Sequence, residues 1–344
     1  MTTHILMTGA GAPGAAGIIR CLLLDPLVKL TIADARPDAV GQYIYPDFEL
    51  LPPAERGDFI PEITRICREK LIGLVMPLVT RELLPLAQNR ELLEAVGTRV
   101  MVSPAEAIAL ANNKTACCEF LQSKGIPVPK FFKVRTTEEF IHAAFELGHP
   151  QRSFTFKPSA SNGSRGFRIV SDSIDESEQL FGQKPYNTYI TYAHTLKILS
   201  SKPFPELLVS EYLPGDEYSV DCLADHGVMR VALPRLRSRM VNGISVQGMF
   251  VKDEHIIDYC GSIIAALGLH GNIGIQVKRT EKGEALLLEV NPRVQGTIVA
   301  GLGAGVNLPL LAVKQELGIQ VQPSEMEPVW GTQFARHWTE VFYR

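Results

Sequence analysis

In the first 110 residues, short apolar runs alternate with helical patterns, and this alternation limits the fold more than any other feature. Residues 4–8 (His-Ile-Leu-Met-Thr) run into Gly9-Ala10-Gly11-Ala12-Pro13-Gly14, and a helical pattern follows through Ile18, Ile19, Leu22 and Leu23. Leu30–Ala33, Leu71–Pro77 and Arg99–Val102 read as further strands, with helical segments between them. Strands that alternate with helices form a parallel α/β sheet, here Rossmann-like and spanning residues 1–110.

After residue 110 the texture changes. Residues 104–124 read as one helix through Ile108, Leu110, Phe120 and Leu121, ended by Gly125-Ile-Pro-Val-Pro129, since proline cannot continue it. Strand-like runs follow at Ser153–Lys157, Phe167–Val170, Leu207–Tyr212, Glu217–Ala224, Val228–Pro234, Ile273–Lys278 and Ala285–Asn291. Turns such as Asp225-His226-Gly227 and Glu281-Lys282-Gly283 join several of them, which favours antiparallel sheet. Residues 182–206 read as an irregular connection. The expected class is α/β followed by α+β, in three segments: 1–110, a linker helix and small lid over 111–206, and a catalytic part over 207–344.

Composition excludes several functions. With 34 Lys and Arg against 37 Asp and Glu in 344 residues, the formal net charge is −3. A general nucleic-acid binder shows a basic excess, so none is expected, and any phosphate ligand must be neutralised locally. The six cysteines form no C-x-x-C pair and read as reduced thiols. The first basic residue is Arg20, so no signal peptide is expected. The charge-free stretch from Val294 to Val313 is interrupted by Gly296, Gly301, Gly303, Gly305 and Pro309. It reads as a buried glycine-rich loop leading into a helix and not as a membrane span. A cytoplasmic protein is expected.

Four segments carry chemistry. Gly9, Gly11 and Gly14 fit G-x-G-x-x-G between a strand and a helix, with Asp34 at the distance of a ribose ligand. Tight packing needs the same glycines, and both readings stand. Lys157 ends a strand before Pro-Ser-Ala-Ser-Asn-Gly-Ser-Arg-Gly166, a loop whose backbone amides, with Ser164, Arg165 and Gly166, suit phosphate oxygens. A surface loop with a solvated lysine has the same composition. In Ser210–Val220, strand-end backbone groups around Glu211 suit a purine and Glu217 a ribose, unless this is an ordinary hairpin with exposed acids. Finally, Glu289 and Asn291 share one face of a strand by period-two alternation. If Lys282-Gly283 is the centre of a two-residue hairpin loop, Gln276 falls opposite Glu289. Gln276, Glu289 and Asn291 are then hard oxygen ligands for Mg²⁺, two ions being expected and Mn²⁺ an alternative. Arg293 follows. Arg235, Arg237 and Arg239 share one face, either as anion ligands or as a solvated basic edge.

Together these segments resemble the ATP-grasp superfamily, closest in texture to its carbamoyl-phosphate-synthase-like and pyrrolysine-biosynthesis-like ligases. Asn113-Lys114 with Gly125-Ile-Pro-Val-Pro129 resembles the region of the family's first ATP lysine. Lys157 looks like the second lysine, and Gly163-Ser-Arg-Gly166 like the phosphate-covering loop. Glu211-Tyr212-Leu213 looks like the adenine hinge and Glu217 like the ribose acid. Glu289-x-Asn291-Pro-Arg293 is similar to the metal-binding strand. The resemblance implies an ATP-dependent carboxylate–amine ligase, ADP-forming, with Mg²⁺ and small-molecule substrates and with a homodimer as the default state. Lys114 and Lys157 then neutralise ATP phosphates, Arg293 holds the carboxylate, and Arg235, Arg237, Gly11 and Gly296 are candidates for substrate binding. The chain departs from carbamoyl phosphate synthase in carrying one such unit and in reading Val-Gln-Gly-Thr after Arg293. An NAD(P)-dependent oxidoreductase or epimerase and a non-catalytic nucleotide-binding protein are the alternatives.

Overall fold

A computed structural model describes residues 3–161, 165–182, 188–241 and 243–343. The chain falls into two compact units. One comprises residues 1–111, 216–277 and 288–344; the other comprises 112–215 and 278–287.

The first unit begins with a parallel sheet of β1 (Thr3–Thr8), β2 (Val28–Asp34), β3 (Phe48–Leu50), β4 (Leu74–Pro77) and β5 (Arg99–Val100), in the order β3-β2-β1-β4-β5. Parallel strands are covered on both faces, and the side chains divide accordingly. Ile5, Met7, Leu30, Ile32, Leu74 and Met76 join one cluster with Ile18, Ile19 and Leu22 of the helix Ala15–Leu22. Leu6, Ala33 and Val75 join another with Phe59, Ile63, Ile66, Leu83 and Leu86. The helix Phe59–Lys70 ends with Leu71 in the left-handed region at φ 53°. The following strand therefore starts at Leu74 and not at Leu71.

In the second unit, β6 (Phe131–Val134), β7 (Phe154–Pro158), β8 (Arg168–Val170), β9 (Tyr189–Ile190) and β10 (Leu207–Glu211) lie in the order β6-β10-β7-β8-β9. Only the β8–β9 pairing is parallel. Phe140, Phe154, Val170, Leu207 and Val209 form its core. The region expected to be irregular contains β9 and the helix Tyr192–Leu199, whose Thr191 cap accepts from the His194 amide. Residues 104–124 are two helices, Ala105–Asn112 and Lys114–Ser123. Asn113 caps the second through its side chain, which accepts from the Ala116 amide.

The third sheet, in the order β15-β14-β11-β12-β13-β16, is built from β11 (Glu217–Asp225), β12 (Val228–Val241), β13 (Ile244–Phe250), β14 (Gly271–Arg279), β15 (Ala285–Asn291) and β16 (Gln333–Ala335). The tips of β14 and β15 belong to the second unit. Leu223, Val231, Leu233 and Phe250 extend the first cluster to Leu308 and Leu311 of the helix Leu308–Leu317. That helix follows the glycine-rich loop as the sequence predicts.

The β14–β15 turn corrects one expectation. The Gly283 amide donates to Thr280 O and the Thr280 amide to Glu284 O, with Gly283 at φ 84°. This is a three-residue loop with a glycine bulge. The two-residue loop that set Gln276 directly opposite Glu289 is not formed.

Candidate functional site

In the second unit, the Asn113 cap places Lys114 at the start of its helix. The Lys114 amide donates to Ser159 O at 2.8 Å and its Nζ to Ser161 O at 2.5 Å. Thr115 Oγ1 lies 2.6 Å from Ser159 Oγ. Lys114 is therefore fixed on the segment that leaves β7, the strand that carries Lys157. Gly166 returns the loop to this strand at φ 77°, where a Cβ would meet the Pro158 ring at 2.7 Å. Arg165 is described beside it, but Gly163 and Ser164 lie outside the described residues. At the end of β10, the Glu211 amide donates to Lys130 O at 3.0 Å and its carboxylate accepts from the Lys130 amide at 2.7 Å. The Glu211 side chain thus supports its own strand end. Beyond it, Leu213 is buried, and Lys278 Nζ lies 4.9 Å from the Tyr212 ring centroid.

In the first unit, register explains the acids and arginines. Ser219 pairs with Arg235 across β11 and β12, so Glu217, Ser219 and Asp221 share a face with Arg235 and Arg237. Arg237 is buried. It pairs with Glu217, donates to Gly243 O, and lies 3.0 Å from Ser245 Oγ and 3.3 Å from Gln276 Oε1. Arg235 is fully buried, and its Nη2 reaches Asp221 Oδ2 at 3.2 Å and Thr297 Oγ1 at 2.6 Å. Burial lowers the Arg235 pKa and raises that of Asp221, each opposed by its partner. A solvated basic edge therefore describes Arg239 alone, which is exposed. Among the described residues, Arg235 Nε and Nη1, Asp221 Oδ1 and Gln295 Nε2 are buried without a hydrogen-bond partner. Orphaned groups of this kind call for a ligand or water.

On β15, Asn291 Nδ2 donates to Glu289 Oε1 at 2.9 Å. The strand alternation does bring these two side chains together. Arg293 donates from Nε to Thr80 Oγ1 at 2.9 Å and from Nη1 to Val294 O at 2.7 Å. Burial lowers its pKa, and the charge of Glu289 opposes that shift. Glu289 and Asn291 fit a hard divalent cation: the amide turned toward Glu289 leaves Asn291 Oδ1 as a second oxygen donor. Gln276 presents its oxygen toward Arg237 instead.

The amino-terminal glycines serve packing. A Cβ on Gly14 would clash with the Gly296 backbone, which lets the helix start and the 294–297 loop meet main chain to main chain. Asp34 accepts from the Gly11 amide at 2.7 Å and from the Arg36 amide at 2.9 Å, so both of its oxygens are engaged within the fold.

Asp221, Gln295 and Thr80 are participants that sequence reasoning missed. Asp221 lies four residues beyond Glu217 on one strand face, a legible signal. Thr80 is joined to Arg293 across 213 residues and leaves no local mark.

The family model for ATP-grasp in the biosynthetic pathway with Ter operon matches residues 203–337. The carbamoyl phosphate synthase large chain of Rubrobacter xylanophilus is 26% identical over 291 residues, covering 81% of this chain and 25% of that one. The chain spans well under half the length of the curated relatives it matches. N5-carboxyaminoimidazole synthetase from Staphylococcus aureus, solved with ADP, superposes with a TM-score of 0.69 at 14% identity, covering 96% of this chain and 81% of that one. L-amino acid ligase from Bacillus licheniformis gives 0.65 at 17%, covering 95% and 78%. Over residues 203–337 the chain is thus similar in sequence to the ATP-grasp family, and over almost its whole length it has the fold of these ligases and synthetases.

Proposed function

We propose that the chain is an ATP-dependent carboxylate–amine ligase, ADP-forming. The observation that carries this reading is the Glu289–Asn291 pair on β15, followed by the buried Arg293. Glu289 and Asn291 would hold Mg²⁺, which when bound would neutralise ATP phosphate charge, and Gln276 would join them only by leaving Arg237. Lys114, Lys157, Arg165 and the 162–166 loop orient the phosphates. Glu211-Tyr212-Leu213 supplies the adenine hinge through backbone groups, and Glu217 the ribose contact. Phosphoryl transfer depends mainly on positioning and charge stabilisation. A substrate carboxylate oxygen attacks the γ-phosphorus, and the bond to the β–γ bridging oxygen breaks to release ADP. Arg293 grips the carboxylate and then the acyl phosphate. The orphan donors of Arg235, on β12, and of Gln295, two residues beyond Arg293, are further candidates to bind the carboxylate. An amine attacks the acyl carbon, inorganic phosphate leaves, and the amine loses a proton to give an amide.

The L-amino acid ligase and the ADP-bound synthetase are similar in fold and support this reading. The partners are then a small carboxylate and an amine. The six cysteines are all free and buried, in keeping with a cytoplasmic location, and among the described residues no helix is long and apolar enough to cross a membrane. The test is an ATP-hydrolysis screen against amino acids and small carboxylates, with mass detection of the conjugate. The expected result is phosphate release that requires both an acid and an amine, with a product whose mass is their sum less one water. Phosphate release without any conjugate across the screen, or none at all, counts against ligation.

A further inference from the structure

We propose that Asp225, His226 and His270 form a binding site for a divalent transition-metal ion, Zn²⁺ being the best match, separate from the Glu289–Asn291 pair. Asp225 pairs with Val228 across β11 and β12, so His226-Gly227 is the two-residue hairpin loop. Both residues are left-handed, His226 at φ 45° and Gly227 at φ 85°. Such loops favour Asn, Asp or Gly at the first position, and an imidazole there has a conformational cost that those residues spare. The strained histidine is aimed at a second one. The His226 and His270 rings stack with centroids 4.0 Å apart and 15° between planes.

His270 is held as a metal-ligating histidine is held. It is 5% exposed. Its amide donates to Ser103 Oγ at 2.9 Å, and that hydroxyl donates back to His270 O at 3.1 Å. Its Nε2 lies 2.6 Å from Glu316 Oε1. A carboxylate that takes the Nε2 proton fixes the tautomer and makes Nδ1 the acceptor nitrogen, and such a carboxylate is the usual outer partner of a metal-bound imidazole. Nδ1 faces the turn, where it accepts from the His226 amide at 3.2 Å and lies 3.8 Å from Asp225 Oδ1, so an ion bound at Nδ1 takes the place of that amide bond. Arg230 occupies the other oxygen, Asp225 Oδ2, at 2.6 Å. One ligand atom from each of the three residues lies within 4.8 Å of the others. A tetrahedral Zn²⁺ site with bonds of about 2.0–2.2 Å has ligand edges of roughly 3.3 Å, and ring lone pairs lie in the ring plane, so the exposed His226 ring must turn out of its stack on His270 to ligate the same ion. A pocket of about 540 Å³, lined by Thr98, Arg99, Gln315 and Glu316 as well as the cluster, leaves room for a water ligand.

The donor set decides the metal. Two imidazoles and one carboxylate suit Zn²⁺, Co²⁺, Ni²⁺ or Cu²⁺, whereas Mg²⁺ prefers oxygen alone. The bound ion would staple the β11–β12 turn to the start of β14, reinforcing the bond from the Gly227 amide to Leu269 O at 2.8 Å.

The test uses untagged full-length protein and Co²⁺ as the spectroscopic probe, with Zn²⁺ as competitor. The expected result is one Co²⁺ per chain, with the intense visible absorption of low-coordinate, nitrogen-ligated cobalt, displaced by Zn²⁺. His226→Asn keeps a residue suited to the turn and removes one ligand. It should weaken binding at least tenfold while the variant melts as wild type does without metal. Glu289→Gln should leave the cobalt spectrum unchanged. Absence of the absorption, or equal affinity in wild type and His226→Asn, overturns the site.

Discussion

Glu82 is a carboxyl group buried in the core of the first unit, where the Thr8 hydroxyl donates to it. Burial pushes its pKa up to about 7, and the Thr8 bond only partly opposes the shift. An acid whose folded pKa exceeds its unfolded value binds more protons when folded, so its contribution is fully present below about 4.5 and lost as pH rises toward 7. Above that window the ionised group penalises the native state by about 3 kcal/mol. Glu82→Gln keeps the hydrogen bond and removes the titration. Urea melts at pH 5 and pH 8 should show wild type losing stability between them and the variant losing less, with a difference of up to about 3 kcal/mol. Parallel losses in the two proteins would show that Glu82 is ionised throughout. The same residue marks a limit of legibility. Glu289 and Asn291 could be paired from sequence because strand alternation is local. The burial of Glu82 against Thr8 depends on β1 and β4 being neighbours across 74 residues.

Among elements, the break at Asn113 has the clearest consequence. Apolar positions from Ile108 to Leu121 read as one helix, and only Asn112-Asn113 interrupts them, residues that prefer caps to helix interiors. The Asn113 side chain accepts from the Ala116 amide at 3.0 Å and starts a new helix with Lys114 as its first residue. Asn113→Ala should cost about 1 kcal/mol of stability, read as a lower urea midpoint at unchanged slope, whereas Asn113→Gly should cost only a few tenths. Because Lys114 leaves that cap to bind Ser159 and Ser161, Asn113→Ala should also weaken Mg-ATP binding more than Asn113→Gly does. Equal midpoints in the two variants would remove the cap as the determinant. The helix Thr137–Glu146 carried a legible signal of the same kind, the capping box Thr136…Glu139, which went unread. The short β9 and β16 had no such signal, since two or three residues give no period.

At the scale of the whole molecule, the α/β-then-antiparallel layout was legible because local texture dictates it. Strand order and the discontinuous units were not, because pairing between distant strands leaves no local mark. That long-range arrangement also bears on the choice between nucleotides. The Gly9–Gly14 turn matches a dinucleotide pattern by spacing, yet Asp34 already accepts the Gly11 and Arg36 amides, and Gly14 is closed against Gly296. Each Asp34 oxygen already accepts one amide, so a ribose hydroxyl must compete for the remaining lone pairs, and a pyrophosphate approaching Gly14 meets the 296 backbone. Under the proposed function, Mg-ATP is the nucleotide, with the Lys114–Lys157 region and the Glu289–Asn291 pair as its proposed ligands. A ligand that binds only the native state raises stability by RT ln(1 + [L]/Kd), about 2.7 kcal/mol at a hundredfold excess over Kd. Melting curves with Mg-ATP should therefore shift upward with each increase in concentration, and the shift should shrink in Glu289→Gln. Curves with NAD⁺ or NADP⁺ at the same concentrations should overlay the ligand-free protein. A shift with either dinucleotide and none with Mg-ATP would return the amino-terminal turn to the status of a cofactor site and remove the nucleotide role from the two lysines.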